Sequence, residues 1–283
     1  MDKSPVFIDL SVAIDPKEWE PEPVEQKILD HQQGADLLGK SFFIFHASGR
    51  LHRIWLRVLA LFQRRITYRD FPDGMGLSLM IYKLTTHTGT HLDAPYHYGW
   101  RDGTSTIPRT IDDVPLSWCY GEGVLLDFSN EPYDSPPIKA VEIQNKLQDI
   151  GYTIKENDIV LIATGADAKV GTREYFTQYR AISKEAVAWL VEQGVHVIGM
   201  DTFSFDPPFT NMLQKYTETG DNSVLWPAHF YGRDKEYIQI ERLTNLRSLP
   251  RPVGFKLSCF PIKLKGADAA WSRVVAIFDE KNT

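Results

Sequence analysis

Apolar and polar residues alternate along this chain with two periods, one of strands and one of helices. The run Ile159-Val160-Leu161-Ile162-Ala163 is apolar throughout, which predicts a strand over 159–164 covered on both faces and central in a sheet. Further strands are predicted over 7–12, 123–128 and 195–201, with closing strands over 254–264 and 274–278. Residues 237–241 alternate, placing Tyr237, Gln239 and Glu241 on one face. Helical spacing appears over 138–151, where Val141, Ile143, Leu147 and Ile150 recur and Gly151 ends the pattern. A second helix is predicted over 183–194, with Ser183 as its N-cap and Ala186, Val187, Leu190 and Val191 on one side. A third stripe, Leu51, Ile54, Trp55, Val58, Leu59, Phe62 and Ile66, predicts a helix over 51–66. Strands outnumber helices and separate them, so the expected fold is α/β. It is a single domain over residues 1–283, a mixed sheet with outer helices, carrying a peripheral segment at about 15–70. Residues 15–36, acidic and bearing Pro16, Pro21 and Pro23, are expected to wrap the surface before a short helix.

The chemistry concentrates in one stretch. A β-rich run over 77–86 leads into His87-Thr88-Gly89-Thr90-His91-Leu92-Asp93-Ala94-Pro95-Tyr96-His97, which holds three of the chain's eight histidines. The motif is therefore expected at a strand end, where Gly89 permits a tight turn and Pro95 stiffens the exit. Imidazoles with a carboxylate suit Zn, Mn or Fe, whereas an all-oxygen set would suit Ca or Mg. No thiolate is near, which argues against a closed structural zinc knot. The plain alternative is a set of polar strand-end residues bonded to backbone.

Composition narrows the classes. Hydrophobic content of 43% and charged content of 24% are those of an ordinary globular protein. A net charge of −6 argues against a nucleic-acid protein. Cys119 and Cys259 are too few and too far apart in sequence for a disulfide framework and read as buried small side chains. Met1 to Pro5 lacks the apolar core of a signal peptide, so the expected location is cytoplasmic. Six arginines and no acid before Asp70 accompany the 51–66 stripe. Such a helix can lie on an anionic membrane, cover a site as a lid, or pack on protein. The acidic overall charge favours packing and argues against a membrane partner. His46 and His52 have no motif support as ligands, and His196 reads as structural. Asp201 and Asp206 read as loop caps or site supports. No Gly-x-Ser-x-Gly turn and no glycine-rich nucleotide fingerprint is present.

The run His87-x-Gly89-Thr90-His91-x-Asp93-x-Pro95-x-His97 resembles the signature of the cyclase superfamily. That group includes bacterial kynurenine formamidases, isatin hydrolase and some aromatic polyketide cyclases. His229 and Glu241, twelve residues apart, resemble the second ligand pair of its two-metal members. The similarity extends to Ile8-Asp9-Leu10-Ser11, to Asp158-Ile159-Val160-Leu161-Ile162 and to Cys259-Phe260-Pro261-Ile262-Lys263, and so covers nearly the whole chain. The resemblance implies a swivelling β/β/α fold and a homodimer or homotetramer. It implies one or two divalent ions per chain, Zn or Mn. His87, His91 and Asp93 would hold one, and Asp93, His229 and Glu241 the other, with Asp93 bridging. His97 would serve in acid/base work, a task that suits imidazole, although ligation by His97 stays open.

The implied function is a metal-dependent hydrolase or cyclase. It would act through metal-activated water on an amide, lactone or ketone carbonyl of a cyclic or aromatic small molecule. Tyr96, Trp100, Phe203 and Trp226 lie close in sequence to site elements and are candidates for contacting such a substrate. The segment Val114-Pro115-Leu116-Ser117-Trp118-Cys119-Tyr120-Gly121 resembles the broad cyclase branch. An arylformamidase, hydrolysing N-formylkynurenine to kynurenine, is accordingly the second reading. A reading of another class is an inactive metal-binding relative, acting through the basic helix as an interaction or membrane-surface module. None of the five ligand positions is lost, which favours the enzyme.

Overall fold

A computed structural model describes residues 4–45, 47–59, 66–101, 104 and 106–279. Their strands are β1 (Val6–Asp9), β2 (Glu25–Leu29), β3 (Leu79–Lys83), β4 (His91–Asp93), β5 (Tyr120–Asp127), β6 (Ile159–Ala163), β7 (Val197–Met200), β8 (Ile238–Glu241), β9 (Phe255–Ser258), β10 (Ala269–Trp271) and β11 (Val275–Phe278). The helices are α1 (His31–Phe45), α2 (Arg50–Leu59), α3 (Pro95–Tyr98), α4 (Ala140–Asp149), α5 (Lys184–Glu192), α6 (Phe209–Thr219) and α7 (Pro227–Tyr231). The chain divides into two compact units, Glu22–Leu84 and the remainder.

In the larger unit nine strands form one mixed sheet in the order β1-β11-β9-β5-β6-β7-β8-β4-β10. Strands β5 to β8 run parallel, and their neighbours on both sides are antiparallel. All five residues of β6 are buried, as a run apolar on both faces requires. Successive side chains then feed two cores. Leu125, Leu161, Val197, Ile238 and Ile240 enter one, together with Leu10, Leu92, Leu257 and Phe278 from the flanking strands. Val124, Leu126, Val160, Ile162 and Ile198 enter the other, closed by Ile143 and Leu147 of α4 and Ala186, Val187 and Leu190 of α5. The first core has sheet on its far side because the sheet curls, bringing Ser11 beyond β1 into a bridge with Leu243 beyond β8. The expected α/β fold, a mixed sheet with outer helices, is what the chain adopts.

The smaller unit departs from expectation. Residues 15–36 were predicted to wrap the surface, yet 25–29 pair with β3 as a two-stranded antiparallel sheet and a 15-residue helix follows. The helix predicted over 51–66 is present as Arg50–Leu59, Ile66 lies outside it, and residues 60–65 fall outside the described residues. Its stripe is exposed, Leu51 at 83% and Trp55 at 57%. Among the described residues no helix is long and apolar enough to cross a membrane.

Candidate active site

Strand pairing builds the site. β4 lies antiparallel to β8 with His91 opposite Glu241 and Asp93 opposite Gln239. Leu92, Ile238 and Ile240 face the inner core. Alternation therefore turns His91, Asp93 and Glu241 together to the other face. The short strand β4 carries part of the motif expected in a loop, while His87 sits in the turn before it. Gly89, with φ of 70°, makes that turn, and a Cβ there would meet Ile14 Cγ1 at 2.9 Å. The third imidazole, His229, comes from α7, whose start is fixed by Trp226 in the left-handed region at φ 47°.

The five predicted donors converge. Asp93 Oδ1 lies 3.0 Å from His87 Nδ1 and 3.2 Å from His91 Nε2, while Oδ2 lies 3.9 Å from His229 Nε2. Glu241 spans the same gap, with Oε2 3.6 Å from His91 Nε2 and Oε1 3.6 Å from His229 Nε2. Both oxygens of Asp93 and Oε1 of Glu241 are buried without a hydrogen-bond partner. Burying such acceptors unpaired is costly, and a cation at the point they share removes that cost.

The ring nitrogens agree. His91 Nδ1 lies 2.9 Å from the Gly89 carbonyl, His229 Nδ1 2.6 Å from Asp206 Oδ2, and His87 Nε2 3.1 Å from Asp268 Oδ2. Each outer partner is an acceptor and so takes an N–H from its ring. With an ion bound, the imidazoles would be neutral and would present lone pairs on His91 Nε2, His229 Nε2 and His87 Nδ1, the three atoms that face the carboxylates. Outer acceptors that fix ligand tautomers in this way are the usual support of metal-bound histidine. The donor set thus fits a divalent metal ion.

His97, on α3, stands at the rim, its side chain 32% exposed. Its ring centroid is 4.3 Å from that of His87 and 5.6 Å from that of His229. One of its nitrogens groups with Asp93 and His229, all within 4.8 Å of one another, so the geometry leaves both ligation and acid/base work open. The ring packed on these histidines is Tyr98, 6.1 Å from His97 and 5.6 Å from His229. Of the proposed substrate contacts, Trp100 is 70% exposed under the Arg101 guanidinium and Tyr96 is 38% exposed. Phe203 packs on Phe176 and Trp226 on Phe209. A cavity of about 510 Å³ lies beside Thr90 and Trp271, but its lining includes none of the five donors. Donor chemistry, rather than cavity size, locates the site.

Two partners carry no signal of spacing. Asp206 accepts the backbone N–H groups of Ala228 and His229 as well as the imidazole, locking α7 and its histidine together. Asp268 holds the outer side of His87. Asp201 is a loop cap, accepting from Thr164 and Gly165, and burial lifts it to about 6. His196 stacks on Trp118 at 4.2 Å, as a structural histidine does.

Without an ion the cluster holds protons. Burial and the Asp93 charge lift Glu241 from 4.5 to about 8. Burial opposes charge on His87, but Asp93 and Asp268 outweigh it and raise that ring to about 10. Burial works against Asp93 too, yet His91, His97 and His87 hold it well below the usual carboxylate range. Glu241 and His87 both have folded values above their unfolded ones. Their contribution is complete below about pH 4.5 and 6.5 respectively and is lost as pH rises through about 8 and 10. The chelator-treated protein should therefore melt at least about 5 °C lower at pH 9 than at pH 6. Scanning calorimetry checks this, and a melting temperature rising over that interval would contradict it.

The profile of the cyclase family, described as "Putative cyclase", matches residues 8–207. Kynurenine formamidase of Salinibacter ruber is 29% identical over 209 residues, covering 74% of this chain and 84% of its own length. Cyclase-like protein 1 of Arabidopsis thaliana is 23% identical over 215 residues, covering 74% of this chain and 72% of its own. Isatin hydrolase A from Ralstonia solanacearum shares the fold, with a TM-score of 0.70 and 21% identity across 97% of this chain and 92% of that one. The matched span takes in the whole run from His87 to His97, and the chain belongs to the cyclase family.

Proposed function

We propose that this protein is a metal-dependent hydrolase acting on a carbonyl group of a cyclic or aromatic small molecule. The observation that carries the reading is the convergence of five donors, among them Asp93, whose two buried oxygens have no hydrogen-bond partner. His87, His91 and Asp93 would hold one ion, and Asp93, His229 and Glu241 a second. A divalent ion supplies Lewis acidity toward a carbonyl oxygen and lowers the pKa of water to about 7.

The chain's own residues divide the remaining work. The buried face of β4 and β8 keeps bulk water from the inner side of the carboxylates. His97 stands on the open side and moves the proton, delivering it from its ring to the departing nitrogen or oxygen. Tyr98, stacked at 5.4 Å on Tyr237 and donating to the Asp93 carbonyl oxygen, holds α3 and hence His97 against β4. The exposed rings of Tyr96 and Trp100 flank His97 in sequence and favour an aromatic substrate. Lewis acidity at the same site would equally suit a ring closure on a ketone.

A formamidase reading is favoured by one observation, the 29% identity to the Salinibacter kynurenine formamidase. Purified protein assayed against N-formylkynurenine, isatin and small lactones separates the branches. The cyclic-carbonyl reading expects hydrolysis of isatin or a lactone to exceed that of N-formylkynurenine, and the opposite order assigns the formamidase. In either case His97→Ala should lower kcat by a factor of about 10² to 10⁴ while bound metal, measured by atomic emission, stays at the wild-type level. Loss of metal from His97→Ala would instead make His97 a ligand.

A further inference from the structure

We propose that Asp268 is a positioning residue whose single carboxylate sets the ring orientation of His87 and His97 together. The inference rests on the metal-hydrolase reading above for its consequence, but its geometry stands apart from any ion. Asp268 comes from the far end of the chain, immediately before β10, whose register sets Ala269 opposite Asp93 and Trp271 opposite His91. Its own carbonyl oxygen accepts from Ala94 N–H at 2.8 Å, tying it to the exit of β4. Its side chain then serves three residues of the motif region. Oδ1 accepts from the Thr86 hydroxyl at 3.0 Å, and Oδ2 lies 3.1 Å from His87 Nε2 and 3.6 Å from His97 Nδ1.

A carboxylate only accepts. His87 therefore carries a hydrogen on Nε2 that donates to Asp268, which fixes the ring with Nδ1 toward Asp93. On His97 the same oxygen attracts a hydrogen on Nδ1, which leaves Nε2 as the atom that exchanges a proton with substrate. The two rings lie 4.3 Å apart at 42°, so one carboxylate orients a proposed ligand and the proposed acid/base group as a unit. Thr86 holds the carboxylate itself.

The test uses the full chain as Asp268→Ala and Asp268→Asn, the latter retaining an acceptor oxygen for His87. In metal-free protein with ¹⁵N-labelled histidine, the wild-type His87 ring should show a slowly exchanging Nε2–H, held by its bond to Asp268. Asp268→Ala should lose that protection and Asp268→Asn should keep it, with melting temperatures showing that both variants fold. Unchanged Nε2–H protection in folded Asp268→Ala overturns the proposal. Titration with Mn²⁺ should then give the same number of ions per chain but about 10- to 100-fold weaker binding in Asp268→Ala, with a smaller loss in Asp268→Asn. Turnover should fall in kcat with KM retained. Equal affinity overturns the proposal, and so does loss of an ion equivalent, which would make Asp268 a ligand. If wild-type protein takes up no ion, the metal reading fails, while the exchange comparison still decides what Asp268 does.

Discussion

Asp93→Asn should lower kcat/KM at least about a thousandfold, close to 4 kcal/mol of transition-state stabilisation, and strip the protein of bound metal. Asp93, like Glu241, faces both halves of the cluster, Oδ1 toward His87 and His91 and Oδ2 toward His229. An amide replaces one of those oxygens with a donor and removes the negative charge. Glu241 then remains as the lone carboxylate among three imidazoles. Asp201→Asn is the matched control, because Asp201 is equally buried but its bonds go to Thr164 and Gly165. That variant should lose stability and keep its metal. Steady-state kinetics and elemental analysis of the two variants side by side check the contrast, and activity within tenfold of wild type in Asp93→Asn would refute it.

Arg242→Met should destabilise the fold by about 3–5 kcal/mol. Arg242 follows Glu241 directly, turning the chain out of β8 at φ 63°. Its guanidinium is 2% exposed and lies between the rings of Tyr175 and Phe176, 5.6 and 5.5 Å from their centroids. There it pairs with Glu20 through both terminal nitrogens and reaches the His87 carbonyl oxygen at 3.3 Å. Methionine fills the space but leaves the Glu20 carboxylate, only 11% exposed, without its cation. The cost arises from that stranded charge more than from the lost attraction. The double variant Arg242→Met with Glu20→Gln should therefore recover most of the loss, a sign that independent contributions would not produce. Urea unfolding of the single and double variants measures both.

Legibility differed sharply between the two halves of the site. His87, His91 and Asp93 are visible because a strand packs their chemistry into seven residues. Glu241 is not, since a glutamate on an alternating strand looks like any solvent-facing residue until β8 is known to lie beside β4. Its reading depended on the family resemblance. Asp206 and Asp268 were harder still. Each acts through a histidine 23 or 181 positions away, and a hydrogen-bond acceptor has no characteristic spacing. The central sheet was readable from β6 because burial on both faces leaves no room for polar residues. Within residues 15–36 the strand over 25–29 is not legible because β2, Glu-Gln-Lys-Ile-Leu, is almost wholly exposed and carries little alternation. Helix α1 runs through Gly34, where a Cβ would meet the Leu77 carbonyl oxygen at 1.7 Å. That glycine marks close packing rather than a helix end. α6 carries a helical stripe in Phe209, Met212, Leu213 and Tyr216 directly after Pro207-Pro208. Cys119 and Cys259, unrelated in sequence, meet because β5 and β9 pair, Cys259 N–H donating to the Cys119 carbonyl oxygen at 2.9 Å.

An anomalous difference map from a crystal grown with Mn²⁺ tests the central claim most directly. The predicted result is at least one peak bonded to Asp93, within about 2.0–2.3 Å of its oxygen and of the His87 and His91 nitrogens, with any second peak lying between Asp93, His229 and Glu241. A map in which manganese binds elsewhere, or leaves these five side chains without an ion at saturating concentration, would contradict the account.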